Sequence, residues 1–183
     1  RVRGIEGDAA TSYFGVFPHL ILNQKESFVF KGRNRRPPKD AVNAMLSFVY
    51  TLISNDVTAA LETVGLDPYV GFMHALRPGR PSLALDIMEE LRAYLGDRLV
   101  LSLINRKQIT GNQFLQQGDE SIIMTDDARR TIISAWQARK KEQIQHPFLN
   151  EKVSIGLLPH IQAMMLARYL RNDLDDYPVF LIQ

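Results

Sequence analysis

Residues 71–92 read GFMHALRPGRPSLALDIMEELR. His74 stands in a loop that continues through Arg77, Pro78, Arg80 and Pro81, and an apolar-periodic run carrying Asp86, Glu89 and Glu90 follows. Ser82 ahead of Leu83, Ala84 and Leu85 has the chemistry of an N-cap, so the spacing predicts a helix with Asp86 in or just after its first turn. At about 100° per residue, Asp86 and Glu89 project within roughly 60° of each other, off the arc of Leu83, Ala84, Ile87, Met88, Leu91 and Leu95. Two carboxylates and an imidazole form a donor set for a divalent cation, with hard oxygens for Mg and a nitrogen that widens acceptance towards Mn. Arg77, Arg80 and the N–H groups at the helix start suit a phosphate. The same spacing also describes a solvated helix face on which Glu89 pairs with Arg92.

Upstream of this stretch, Asp40 caps a strongly periodic run, residues 41–64, whose Ala44, Met45, Phe48, Val49, Leu52 and Ile53 predict a central buried helix closed by Gly65. Residues 2–17 predict another helix, with Val2, Ile5, Ala9, Tyr13 and Val16 at helical spacing. Glu6 falls on the edge of that apolar arc, where an ionised carboxylate needs a cation or hydrogen-bond donors. Gly4 and Gly7 leave room there for another backbone or a substrate. Between the two helices, KGRNRRPPKD at 31–40 mixes arginines with glycine and a proline pair, which opposes helix and offers guanidinium forks to phosphate oxygens.

Downstream, Gly96 and Asp97 break or kink the pattern before residues 99–104 continue it, and residues 114–124 read as one small β-hairpin. Thr125, Asp126 and Asp127 start a helix through Trp136 to about residue 143. A last helix runs from about residue 155 or 159 to 172, with Ile161, Met164, Met165, Ala167 and Leu170 inward. His146 and His160 read as capping or packing histidines.

The expected fold is therefore mainly all-α: a single helical, bundle-like domain over residues 1–183. At 183 residues and 45% apolar content the chain can bury one good core, and with no cysteine it has neither disulfides nor thiolate metal sites. No run approaches the ~18 uninterrupted apolar residues of a membrane span, so a cytoplasmic protein is expected. A net charge of +2 names no partner, but residues 25–39 hold six basic side chains against the one acid Glu26. The chain opens at Arg1 inside a helical pattern, which suggests a piece of something longer.

Four stretches, taken together, resemble one family: RGIEGDAATSYF at 3–14, FKGRNRRPPKDAVNAMLSF at 30–48, GLDPYVGFMHALRPGRPSLALDIMEELR at 65–92, and LARYLRNDLDDYPVF at 166–180. They are similar, in order, to the helical carboxy-terminal domain of the CRISPR-associated spacer-acquisition integrase, the universal nuclease subunit of the adaptation complex. The resemblance does not extend to that family's amino-terminal β-rich domain. It implies a metal site for Mg2+ or Mn2+ at Glu6, His74 and Glu89, with Asp86 as an adjacent catalytic acid. Some relatives carry aspartate at the position of Glu89. It also implies DNA contacts at Arg33, Arg35, Arg36, Arg77 and Arg80, a homodimer, and a small ferredoxin-fold companion protein. The implied reaction is insertion of short foreign DNA into the CRISPR array, by attack of a 3′-hydroxyl on a phosphodiester. The alternatives are a metal-dependent nuclease unrelated to spacer acquisition and a non-catalytic helical DNA-binding or scaffold domain. Glu6, His74 and Glu89 are expected to converge. Replacing Arg33, Arg35 and Arg36 is expected to weaken DNA binding across sequences and flatten its salt dependence, with little loss of stability; DNA titrations at several salt concentrations check this.

Overall fold

The structure, a computed structural model, describes residues 2–34, 36–118 and 121–181, with side chains from residue 4 onward. Arg35, the side chain of Val2 and the Asp119 part of the expected hairpin turn lie outside the described residues. The helices are α1 (Val2–Val16), α2 (Ala41–Thr63), α3 (Ser82–Leu91), α4 (Arg98–Asn105), α5 (Asp126–Lys140) and α6 (Leu158–Leu170), with a 3-10 turn at Phe17–Leu20 and a π-helical segment at Arg92–Asp97. Strands β1 (Phe114–Gln117) and β2 (Ser121–Met124) make the expected antiparallel hairpin, with Leu115 opposite Ile123. A second hairpin pairs β3 (Gln143–Gln145) with β4 (Lys152–Ser154), Ile144 opposite Val153. The helix expected to run to about residue 143 thus ends at Lys140, and β3 begins at Gln143. Gln143, Ile144 and Gln145 do alternate with a period of two, over a run too short to stand out from a helix end. The chain divides into two compact units, Arg1–Val49 with Asp97–Ser134, and Tyr50–Gly96 with Ala135–Gln183.

In the first unit the core gathers on aromatic rings. Phe14 and Phe17 meet Phe30 at centroid distances of 6.0 and 5.1 Å, and Phe28 meets Phe114 edge-on at 5.6 Å. This corrects the expected inner face of α1: Ile5 and Val16 are 65% and 57% exposed, while Phe14 and Phe17 are buried. A ring removes more apolar area from water than an aliphatic side chain, so the helix rolls to place the phenylalanines inward. Glu6 is consequently exposed rather than set at a buried edge. Tyr13 donates to the buried Asp97 carboxylate at 2.7 Å, and the Gln24 amide donates to the carbonyls of Ile104 and Ile109, both at 2.9 Å.

The start of α2 is capped as expected, with Asp40 Oδ1 accepting from Asn43 N–H at 2.7 Å. Asn43 is fully buried and its side chain donates to Gly32 O and Asp40 Oδ2. Arg33 completes the lock, because its guanidinium donates to Asn34 O, Asn43 Oδ1 at 2.7 Å and Ser47 Oγ at 3.0 Å. The expectation that this arginine stands outside the fold is corrected: charge runs do not reveal which member finds buried acceptors. Arg36 is exposed.

In the second unit, the far half of α2 contributes the buried Ile53, Val57 and Leu61. Gly65 closes α2 at φ 81°, where its N–H and that of Leu66 reach the carbonyls of Glu62 and Leu61. α3 packs its Leu83, Ala84, Ile87, Met88 and Leu91 face against α6. On α6, Met165 is inward as expected, whereas Met164 and Leu170 face solvent. The expected kink is the π-helical turn, where Gly96 lets the backbone approach Tyr50 and Ile53; an added Cβ would lie 3.1 Å from each side chain. By length and composition α2 could span a membrane, but half of its most apolar window is buried, and its Asp56 is held by Lys140 at 2.9 Å, as in a core helix.

Because removing Arg33 takes from the buried Asn43 oxygen one of its two donors, the other being Asn34 N–H at 3.0 Å, and leaves Ser47 without its guanidinium contact, Arg33→Ala should lower unfolding free energy by roughly 1–3 kcal/mol in urea titration. Arg36→Ala should change it by less than about 0.5 kcal/mol.

Candidate active site

The loop before α3 is stitched to the helix from its first residues. Asp67 Oδ1 accepts from Tyr69 N–H at 2.9 Å, and Pro68 O accepts from Leu83 and Ala84 N–H at 2.9 and 3.2 Å. This corrects two expectations. The first-turn amides of α3 are already satisfied, so they offer nothing to a phosphate. Ser82 is the first helical residue after Pro81 rather than the N-cap, and its hydroxyl donates to Ala75 O at 3.1 Å.

Asp86 gathers the rest of the loop. Its Oδ2 accepts from the N–H groups of Phe72 and Met73 at 2.6 and 3.0 Å, and its Oδ1 from His74 N–H at 3.0 Å. The His74 ring closes the set, with Nδ1 at 2.6 Å from the same Oδ1. Burial pushes the Asp86 carboxyl up, but the bonds from Met73, the His74 ring, Phe72 and the His74 amide together outweigh it and hold the pKa below the usual carboxylate value. Gly71 makes the approach possible: a Cβ there would lie 2.7 Å from the Ser82 carbonyl carbon and 2.8 Å from Asp86 Oδ2.

An ionised Asp86 only accepts, so the proton of a neutral His74 sits on Nδ1 and Nε2 carries the lone pair. A histidine oriented by a carboxylate on one nitrogen is the usual partner of a bound cation on the other, and its donor chemistry suits Mn or Mg beside carboxylate oxygens. Glu89 is 30% exposed along its side chain, with Arg92 Nη1 at 2.8 and 2.7 Å from its two oxygens. The ion pair expected of a plain helix face is thus present, while the carboxylate stays reachable. Among the described residues of this unit the structure brings His74 and Asp86 together, and no three His, Asp or Glu side chains gather there as a ready-made cage. Glu6 stands exposed on α1 in the first unit. Arg77 is exposed and Arg80 half-buried.

Glu90, in sequence only the third acid of this run, anchors the carboxy-terminal segment. Its oxygens accept from Tyr177 Oη at 2.8 Å, Gln162 Nε2 at 2.8 Å and Phe180 N–H at 3.0 Å. Burial first, then the neighbouring Glu90 charge and its hydrogen bond, push the Tyr177 hydroxyl well above the usual tyrosine range. His146, fully buried against Phe180, accepts the N–H groups of Phe148 and Leu149 on Nδ1, which bears out its reading as a capping histidine. The available sequence signal for this cluster was the polar Gln162 within the apolar stripe of α6.

Comparison with known proteins adds to the geometry. Residues 1–138 match the family model described as CRISPR associated protein Cas1. The chain is 58% identical over 179 residues to CRISPR-associated endonuclease Cas1 1 of Chlorobaculum tepidum, covering 98% of this chain and 52% of that protein. A casposase bound to integration product superposes with a TM-score of 0.86 at 25% identity, covering 100% of this chain and 52% of that one. A chain of a Cas6-RT-Cas1–Cas2 complex gives 0.84 at 28% identity, covering 99% and 20%. The chain spans about half the length of the curated relatives it matches.

Asp86→Asn should turn an amide N–H2 towards the donors that Asp86 now satisfies and cost roughly 1–3 kcal/mol of stability at neutral pH. Since the folded pKa of Asp86 lies below its unfolded value near 3.8, its contribution is full above that value and is lost as pH falls through the folded pKa. The gap between wild type and variant in urea midpoint should therefore be wide at pH 7 and narrow as pH falls below 3.8 and through the folded pKa.

Proposed function

The chain belongs to the CRISPR associated protein Cas1 family, and from that premise we propose that it is the catalytic portion of a metal-dependent DNA endonuclease and integrase of CRISPR spacer acquisition. The observation that carries this reading is the Asp86–His74 pair, which holds an imidazole on a rigid loop with Nε2 left for a ligand. Glu6, His74 through Nε2, and Glu89 would hold Mg2+ or Mn2+. The bound cation would stabilise negative charge on the attacked phosphate and on the attacking oxygen. Asp86 acts through His74, fixing its tautomer and ring plane, and is a positioning residue. Arg92 holds Glu89 in reach and would yield that carboxylate to the cation.

In the proposed reaction the 3′-hydroxyl of a short foreign DNA loses its proton and attacks a phosphodiester at the edge of the repeat. A P–O bond to the incoming oxygen forms, and the bond to the displaced oxygen, which takes up a proton, breaks. With water as nucleophile the same site cleaves DNA. Arg36, Arg77 and Arg80 would contact phosphates, with Arg35 as a further expectation, while Arg33 serves the fold. The casposase with its integration product supports DNA as the substrate, and the Cas1–Cas2 assembly supports a place in an adaptation complex. A homodimer, the ferredoxin-fold companion, an amino-terminal β-rich domain and a cytoplasmic location complete the proposal.

The Glu89–Arg92 ion pair favours a second reading, in which the acids are surface pairs and the domain only binds DNA. His74→Ala in the full-length protein separates the two. Strand transfer should be abolished with the fold retained, and Mn should raise the melting temperature of the wild type more than that of the variant, since ligand at 100 Kd stabilises by about 2.7 kcal/mol. Equal Mn shifts with strand transfer retained would make His74 a packing histidine.

A further inference from the structure

Along α3, Glu89 lies between two acids that are held by directional bonds, Asp86 on the loop side and Glu90 near the end of the helix. The packing face of Leu83, Ala84, Ile87, Met88 and Leu91 cannot hold the helix in the same way. Apolar contact is non-directional and resists a roll of the helix about its own axis only weakly, whereas a hydrogen bond weakens steeply away from its preferred angle. That roll matters at Glu89. A helix with its side chains is about 10–12 Å across, so a roll of about 20° carries a side-chain tip about 2 Å, the length of a metal–ligand bond.

The donors on Glu90 are themselves fixed, and all lie in the second unit. Gln162 is fully buried on α6, and its Nε2 bonds Glu90 at 2.8 Å and Pro178 O at 3.2 Å and lies 3.0 Å from Tyr177 Oη. Phe180, whose N–H reaches Glu90 at 3.0 Å, is 2% exposed, with its ring 6.0 Å from that of Tyr94 and 5.7 Å from that of His146. Two of the three donors thus come from residues 177–180, a segment without regular secondary structure that is pinned by these contacts. Burying a ring at position 177 needs no hydroxyl. What the Tyr177 hydroxyl adds is a bond of defined direction, 2.8 Å long, to Glu90.

We propose that Tyr177 is a positioning residue of the site: by fixing Glu90 together with Gln162 it locks the roll of α3, and so keeps the Glu89 carboxylate within reach of the cation that His74 would bind. This rests on the proposed metal-dependent function and extends the site to a segment 87 residues beyond Glu90 in sequence. Asp86 sets the aim of the imidazole, and Tyr177 through Glu90 sets the aim of the neighbouring carboxylate. A ligand aimed in advance costs less to recruit, so the effect is on cation affinity and not on DNA binding.

The test is Mn titration of the full-length protein without DNA, with free Mn read by electron paramagnetic resonance. Glu90→Ala should weaken Mn binding about tenfold, the lower end of what loss of an outer partner costs a metal site, and Tyr177→Phe, which removes one bond of three and keeps the ring, about threefold. Tyr177→Phe added to Glu90→Ala should weaken it no further. In strand transfer at limiting Mn, Tyr177→Phe should lower kcat, recover it at high Mn, and leave KM for DNA unchanged. Ile132→Val, a buried site on α5 in the first unit, is the stability control: it should lower the urea midpoint and leave Mn affinity as in wild type. Tyr177→Phe that binds Mn as wild type does makes the cluster a stabilising contact only; this overturns the proposal and leaves the metal reading standing. Equal weakening in Ile132→Val assigns the loss to general destabilisation and also overturns it, as does a further loss when Tyr177→Phe is added to Glu90→Ala. Wild type that binds no Mn overturns this proposal and the proposed metal site together.

Discussion

A single carboxylate, Asp86, holds the candidate site in shape. Its side chain is only 9% exposed, and a charge so placed is costly unless donors surround it. Three backbone N–H groups and one imidazole do so at 2.6–3.0 Å. Bonds to an ionised acceptor are stronger than neutral ones, so the loop is rigid although it has no regular secondary structure. The same acid selects the His74 tautomer. One interaction thus links a local feature of sequence, Gly71 at the point of closest approach, to the chemistry that Nε2 can perform.

The three acids of α3 are separated by what the helix turns them towards. Asp86 faces the loop, Glu89 faces Arg92 and solvent, and Glu90 faces α6 and the carboxy-terminal segment. Glu90 has both oxygens engaged by Tyr177, Gln162 and Phe180, which ties residues 177–180 to the helix carrying the other two. In the proposed function this division lets one acid position, one ligate and one brace. The Tyr177 hydroxyl, pushed up by burial and by Glu90, stays a donor throughout the physiological range.

Much of this was legible in the residues. Asp40 and Gly65 punctuate α2 where their chemistry says, because capping and left-handed closure are local. The hairpin of β1 and β2, the helical period of α5 and α6, and the family motifs taken together were equally local signals. What failed depended on distant partners. The face that α1 buries is chosen by Phe30, far along the chain; Arg33 turns inward because Asn43 and Ser47 offer acceptors; Ser82 does not cap because Pro68 already does. Glu6 shows the same limit, since its exposure follows from how α1 rolls onto its phenylalanines. For the site, His74 and Asp86 could be named from the sequence as neighbours in chemistry, but not the division of labour in which one orients the other.

In the proposed site His74 offers Nε2 to a cation while Asp86 keeps Nδ1. Anomalous diffraction from crystals of the full-length protein soaked in Mn tests it most directly. One anomalous peak is expected at about 2.0–2.6 Å from His74 Nε2 and from carboxylate oxygens of Glu89 and Glu6, with Asp86 still bonded to Nδ1. A peak bound by Asp86 with His74 turned away, or Mn that leaves His74 Nε2 unligated at saturating concentration, would contradict it.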